Sequence, residues 1–190
     1  MKIGVLALQG AVAEHMKSIE KTGAEAVAVK QTHQLKDIQG LIIPGGESTT
    51  IGKLMRRYEF IEPIREFSAE KKPLFGTCAG LIVLAKEIEG GEEAHLGLMD
   101  IRVSRNAFGR QRESFETDLD VKGIDNPVRA VFIRAPLITS VGEGVEVLST
   151  YRNEIVTARE GHMLVSSYHP ELTDDFSLHQ YFADMVRQSS

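Results

Sequence analysis

Cys78 is the only cysteine in a chain of 190 residues, and it lies between glycines in Gly76-Thr77-Cys78-Ala79-Gly80. The segment follows the apolar Pro73-Leu74-Phe75 and precedes a helix-like run, Ala79 to Glu87. A G-x-C-x-G at a strand-to-helix turn is the thiol form of the nucleophile elbow, in which small flanking residues permit a sharp turn that presents the side chain to a substrate. A sole cysteine is ordinarily a small buried hydrophobe. The flanking glycines and a downstream His169-Pro170-Glu171 argue for a nucleophile instead. A thiol attacks a carbonyl as its thiolate. A helix N-terminus favours that charge, and His169 can take the proton and remain as its ion-pair partner. Pro170 disfavours the helical region for His169. An extended segment would then place Glu171 on the same side as His169, and a local turn is the other route. Either way the carboxylate can fix the imidazole tautomer and stabilise the imidazolium, so Cys78, His169 and Glu171 read as a cysteine hydrolase triad.

Acyl transfer through a thioester also needs donors for the oxyanion. The N–H of Ala79, just after the nucleophile, is one. Upstream, Pro44-Gly45-Gly46-Glu47-Ser48 leaves the end of an apolar strand. Consecutive glycines let a backbone N–H approach a ligand closely, which makes Gly46 the candidate for the second donor. The same loop is also a tight strand-to-helix turn. It is not a phosphate loop: five residues separate Gly46 from Gly52-Lys53, and Leu54 stands where Ser or Thr is required. No HExxH, paired CxxC or other metal-ligand spacing occurs, so neither a catalytic metal nor a cofactor is expected.

These groups need a scaffold that brings strand ends together. Ile3 to Leu8, Ala26 to Val29, Gly40 to Ile43 and Leu74 to Gly76 read as short buried strands. Between them come helical stretches: Val12, Met16 and Ile19 share one helix face that Gly23 is placed to stop, and Thr50 to Tyr58 and Ile61 to Glu70 follow. Alternating apolar strands and helices indicate a parallel sheet covered on both faces. The second half differs. Phe115, Thr117, Leu119 and Val121 alternate with acidic residues, Val128 to Ile133 is more apolar, and Val145 to Tyr151 and Ile155 to Arg159 flank a hairpin turn at Arg152-Asn153. Met163 to Tyr168 leads into His169, and Leu178, Tyr181, Phe182, Met185 and Val186 mark an amphipathic last helix. The expectation is one α/β domain over residues 1–190, with an antiparallel insertion or edge in its second half.

Composition agrees and narrows the class. With 42% hydrophobic and 26% charged residues the chain is of ordinary globular type. A net charge of −5 with scattered Lys and Arg argues against a nucleic-acid surface. No apolar run is long enough to span a bilayer, Met1-Lys2-Ile3-Gly4-Val5-Leu6 reads as a first strand rather than a leader, and one cysteine forms no internal disulfide; a cytoplasmic location is the default.

The elbow and His-Pro-Glu resemble those of class I, triad-type glutamine amidotransferases. Further runs resemble one family among these, the glutaminase subunits of pyridoxal 5′-phosphate synthase: Gly4 to Gly10, Pro44 to Thr50, Gly76 to Leu81, Arg105-Asn106-Ala107-Phe108-Gly109-Arg110, Phe132-Ile133-Arg134-Ala135-Pro136 and His169 to Leu172. The resemblance implies a three-layer α/β/α sandwich. It implies hydrolysis of L-glutamine to L-glutamate and ammonia, with ammonia passed to a separate (β/α)₈-barrel synthase subunit that makes the vitamin B6 cofactor. It also implies substrate contacts at Gly46, Glu47, Ser48, Arg105, Ile133 and Arg134; either Arg side chain can grip an α-carboxylate with paired N–H donors. Two other classes stand beside this reading. One is a free-standing cysteine hydrolase of peptides or small amides, and the other is a binding module that keeps the fold. Glutamate release from glutamine, with and without a synthase, separates them.

Overall fold

The computed structural model describes residues 1–105 and 114–190. The chain opens with β1 (Lys2–Leu6), α1 (Val12–Lys21), β2 (Glu25–Val29), a 3₁₀ turn, β3 (Gly40–Ile43), α2 (Ser48–Arg57), α3 (Ile61–Ala69), β4 (Leu74–Thr77) and α4 (Ala79–Leu84). There follow β5 (Ala85–Ile88), β6 (Met99–Ser104), β7 (Ser114–Leu119), β8 (Val128–Ile133), β9 (Leu137–Val141), β10 (Glu146–Tyr151), β11 (Glu154–Glu160), β12 (Met163–Ser166) and α5 (Ser177–Ser189). The main sheet runs β2-β1-β3-β4-β12-β11-β9-β6-β5, with β10 paired to β11. From β2 to β12 all pairings are parallel. Beyond β12 the partners β11, β9 and β6 are antiparallel, and β5 joins β6 in parallel. The expected parallel first half and antiparallel second half therefore form one mixed sheet, while β7 and β8 form a separate antiparallel hairpin.

Period-two alternation sorts the strand side chains onto two cores. Leu41 and Ile43, Leu74, and Met163 and Val165 join the α2–α4 side with Ile51, Met55, Ile64 and Leu81. Ile3 and Val5, Ile42, Phe75 and Leu164 join the other side with Ile19 of α1, Leu178, Phe182 and Val186 of α5, and Val128 and Phe132 of the hairpin. A layer of helices thus covers each face, the three-layer arrangement expected.

The structure corrects two sequence readings. The helix expected from Ala79 to Glu87 ends at Leu84, and Ala85–Ile88 is a strand. Pairing with β6, with Ala85 and Ile88 buried at its ends, overrides the helical preference of Ala, Lys and Glu there. Strands β6 and β9 were not expected at all. Both belong to the antiparallel part, where pairing across long sequence separations, such as Arg102 with Ser140, leaves a weak local signal. Segment 106–110 of the family resemblance lies outside the described residues.

Candidate active site

At the carboxyl end of β4 the chain turns directly into α4, and Cys78 is the pivot, with φ +51° and ψ −106°. Such a conformation is strained for a non-glycine residue and persists because its surroundings over-determine it. The Cys78 N–H donates to Ser166 O of β12 at 2.8 Å, and its carbonyl accepts from Leu81 N at 3.1 Å. Glycines make the turn possible by close approach: a Cβ on Gly76 would lie 2.5 Å from the Gly80 carbonyl oxygen, and one on Gly80 would overlap the Ile43 carbonyl oxygen. Gly76 and Gly80 therefore let the elbow and α4 lie against β3.

His169 reaches the same sheet edge from β12. Its N–H donates to Val131 O at 2.8 Å, which ties it to β8. Pro170–Leu172 forms a 3₁₀ turn, so Glu171 meets the imidazole by a local turn rather than along an extended strand. His169 Nδ1–H donates to Glu171 Oε1 at 2.6 Å, with the carboxylate fully buried. Burial alone would lower the His169 pKa, but hydrogen bonds to Cys78 and Glu171 and their charges outweigh it, pushing the value up to about 10. Its imidazolium is accordingly the favoured state at neutral pH. The ring packs so tightly on the glycine loop that a Cβ on Gly45 would stand 2.5 Å from His169 Cε1.

A cavity of ≈400 Å³ opens at the elbow, lined by Gly46, Glu47, Ser48, Cys78, Ala79, Ile82, Arg105, Arg134 and Pro136. The structure thus brings most of the expected site residues together around the thiol. Ile133 is the exception: it ends β8, 40% exposed, and does not line the cavity. Arg134 does, at a positive φ of 45°. Glu47 caps α2, accepting from Thr49 N at 3.2 Å, and from Thr50 N and Oγ1 at 2.6 and 2.8 Å. Its slight burial would raise its pKa, but these hydrogen bonds lower it to about 2. Arg105 donates to Thr49 Oγ1 at 3.1 Å and to Glu92 Oε1 at 2.5 Å, with Glu47 Oε1 at 3.6 Å. Ser48 Oγ and Arg105 Nε are buried without a hydrogen-bond partner among the described residues.

Two further residues shape this site. Gln9, after β1, accepts from Glu47 N at 2.9 Å through Oε1 and so braces the glycine loop. The apolar run Ile3 to Leu8 followed by Gln9-Gly10 is the signal in the sequence that sets this pair just past the end of β1. Glu92 holds Arg105, and nothing in its acidic, glycine-flanked segment distinguishes it in sequence from solvated charge. A larger depression of ≈560 Å³ lies elsewhere, among Asp174, Asp175, Ser177, Gln180, Tyr181 and Asp184, away from Cys78.

A thiol on a strained elbow, an imidazole and a buried carboxylate thus stand together at the carboxyl end of the parallel strands, and the fold is of the class I glutamine amidotransferase-like kind. The chain belongs to the SNO glutamine amidotransferase family, whose model matches residues 5–188. It is 71% identical over 189 residues to the pyridoxal 5′-phosphate synthase subunit PdxT of Niallia circulans, covering 100% of both chains. It is 61% identical to the subunit of the same name from Geobacillus sp. (strain WCH70), over 100% of this chain and 98% of the relative. A crystal structure of a glutamine amidotransferase superposes with a TM-score of 0.93 at 50% identity, over 97% of this chain and 98% of that one. The PurLQS structure from Thermotoga maritima matches with a TM-score of 0.70 at 18% identity, over 99% and 95% of the two chains, a likeness of fold.

Proposed function

We propose that this chain, as a single domain over residues 1–190, is the glutaminase subunit of a pyridoxal 5′-phosphate synthase. It hydrolyses L-glutamine to L-glutamate and ammonia, and hands the ammonia to a (β/α)₈-barrel synthase subunit in the cytoplasm. The observation that carries this reading is the His169–Glu171 hydrogen bond set beside the Cys78 elbow, where both His169 and Cys78 pack against Gly45 and Cys78 opens on the cavity. The family membership and the names of the relatives support the substrate and the partner.

The Cys78 thiolate attacks the side-chain amide carbon of glutamine, and the N–H groups of Gly46 and Ala79 receive the oxyanion. His169 gives its proton to the departing nitrogen, which leaves as ammonia. It then takes a proton from water as that water attacks the γ-glutamyl thioester, releasing glutamate and regenerating the thiolate–imidazolium pair. Glu171 holds the tautomer that makes both transfers possible. Arg105 and Arg134 face the α-carboxylate of glutamine, Ser48 and the backbone at Glu47 meet its polar end, and Ile133 acts through its neighbour Arg134 at the end of β8. No step calls on a metal or an organic cofactor. Ammonia freed into bulk water would be protonated and lost, which is the physical reason for a docked acceptor.

The test is glutamate release by the complex with a purified synthase subunit. Activity that disappears in Cys78→Ser, with the electrophilic glutamine analogue of the wild type bound covalently at Cys78, supports the reading. Turnover that survives this substitution overturns it.

A further inference from the structure

Glu171 spends one oxygen on His169; the other faces inward. Glu171 Oε2 is buried without a hydrogen-bond partner among the described residues, and His15 Nε2 lies 3.5 Å from it. His15 comes from α1 and is wholly buried. Its Nε2 also lies 3.1 Å from Thr77 Oγ1, beside the nucleophile, and its Nδ1 lies 2.8 Å from Nε2 of His179 on α5. His179 is 1% exposed, and its Nδ1 has no partner among the described residues.

Two neutral imidazoles meeting nitrogen to nitrogen at 2.8 Å share one proton, and its owner follows from the ends of the chain. If His15 donated, His179 would carry its other proton on the unpartnered buried Nδ1, and His15 Nε2 would turn a bare lone pair to a carboxylate. If His179 donates, only a lone pair is left unpartnered, and His15 carries its proton on Nε2, toward Thr77 and Glu171. The second arrangement buries no orphan donor and puts a positive dipole against a negative charge.

We infer that His15, fixed in one tautomer by His179, is a positioning residue for this glutaminase: its Nε2–H, directed between Thr77 Oγ1 and Glu171 Oε2, keeps that carboxylate aimed at His169. The inference rests on the triad reading proposed above. No proton travels along the chain; His15 acts as a fixed dipole. Burial, then the neighbouring His179 and His169, hold the His15 pKa well below its usual value, and burial followed by Lys21 brings His179 down to about 3. The pair therefore stays neutral while the enzyme works. The titratable groups around it are His169, just before the 3₁₀ turn, Glu171 within it, and Lys21 at the end of α1.

The test compares His15→Leu, His15→Gln and His179→Phe in the synthase complex. Gln places an N–H near the position of imidazole Nε2, Leu fills the space without one, and Phe keeps the packing of α5 while releasing the His15 tautomer. For His15→Leu, kcat should fall about tenfold with KM for glutamine unchanged, and His15→Gln should return to within about twofold of wild type. The rate of Cys78 alkylation by iodoacetamide should begin its rise at higher pH in His15→Leu and His179→Phe, and at the wild-type pH in His15→Gln. Wild-type kcat and alkylation profile in His15→Leu would overturn the inference, as would equal damage in Leu and Gln, which would indicate packing alone. If His15→Leu does not fold by circular dichroism, His179→Phe decides on the same two readouts. Cys78→Ser run alongside separates the readings: surviving turnover removes the triad and this role together, whereas Cys78-dependent turnover indifferent to His15 removes only the latter.

Discussion

At the scale of single residues, the triad members are not equivalent. His169 moves protons in both half-reactions, while Glu171 orients and polarises it. Replacing His169 with Asn should cost nearly as much turnover as loss of Cys78, and Glu171→Ala should cost less. Steady-state kinetics at saturating synthase would show that ranking; a silent Glu171→Ala would mean another acceptor holds the ring. Arg105 has a different kind of role. Glu92 and Glu47 already partly neutralise it, which fixes the guanidinium at the cavity wall before any substrate arrives. Arg105→Ala should therefore weaken glutamine binding by about ten- to a hundredfold, as expected for a charge-assisted contact worth roughly 1.5–3 kcal/mol. Calorimetric titration of the inactive Cys78→Ala protein is the direct measurement, and unchanged affinity would reject Arg105 as the carboxylate grip.

Elements position these residues through backbone approaches that only glycine allows. Gly10, at φ +104°, lies so close to the glycine loop that a Cβ there would overlap the Gly45 carbonyl oxygen, which itself accepts from Ala11 N at 3.2 Å. The turn after β1 thus fixes the Gly45–Gly46 peptide, and with it the N–H proposed above as an oxyanion donor. Gly10→Ala should displace that peptide and lower kcat by about a hundredfold, the usual cost of a misplaced oxyanion donor; near-normal turnover would show that the loop is set elsewhere. Much of this level was legible in sequence. The apolar runs at β1, β3 and β4 each end at the glycine-bearing loops, and parallel strands of that kind must place their carboxyl ends together. What stayed hidden depended on distant partners: β5 read as helix until β6 was there to pair with it, and Glu92 looked like solvated charge until Arg105 was beside it. His15 and His179 were in plain view on the apolar stripes of their helices, in phase with Ile19 and with Phe182 and Val186. Periodicity gave their burial; their meeting required both helices on the same face of the sheet.

Across the whole molecule, the histidines set opposing demands on pH. His15 and His179 are neutral in the fold, with pKa values lowered first by burial, so the unfolded chain binds more protons than the folded one once the pH falls below the ordinary histidine value of 6.5. Their contribution is complete above that pH and is lost on acidification, at up to about 1.4 kcal/mol per pH unit for each. His95 and His162, also lowered by burial and by nearby cations, act in the same sense. His169 has the reverse sign: raised to about 10, it contributes stability that is complete below 6.5 and is lost as the pH climbs through 10. Stability should accordingly peak near neutrality and fall more steeply on the acid side, where more groups share the same sign. Between pH 6.5 and 5 the carboxylates are still ionised, so the buried histidines alone should lower the melting temperature there, by about 5 °C per pH unit for a chain of this size. In His179→Phe the slope in that interval should become shallower, because one proton-binding difference between folded and unfolded states has been removed. A melting temperature flat from pH 6.5 to 5 in the wild type, or an unchanged slope in His179→Phe, would show that the histidine pair is not held neutral in the core.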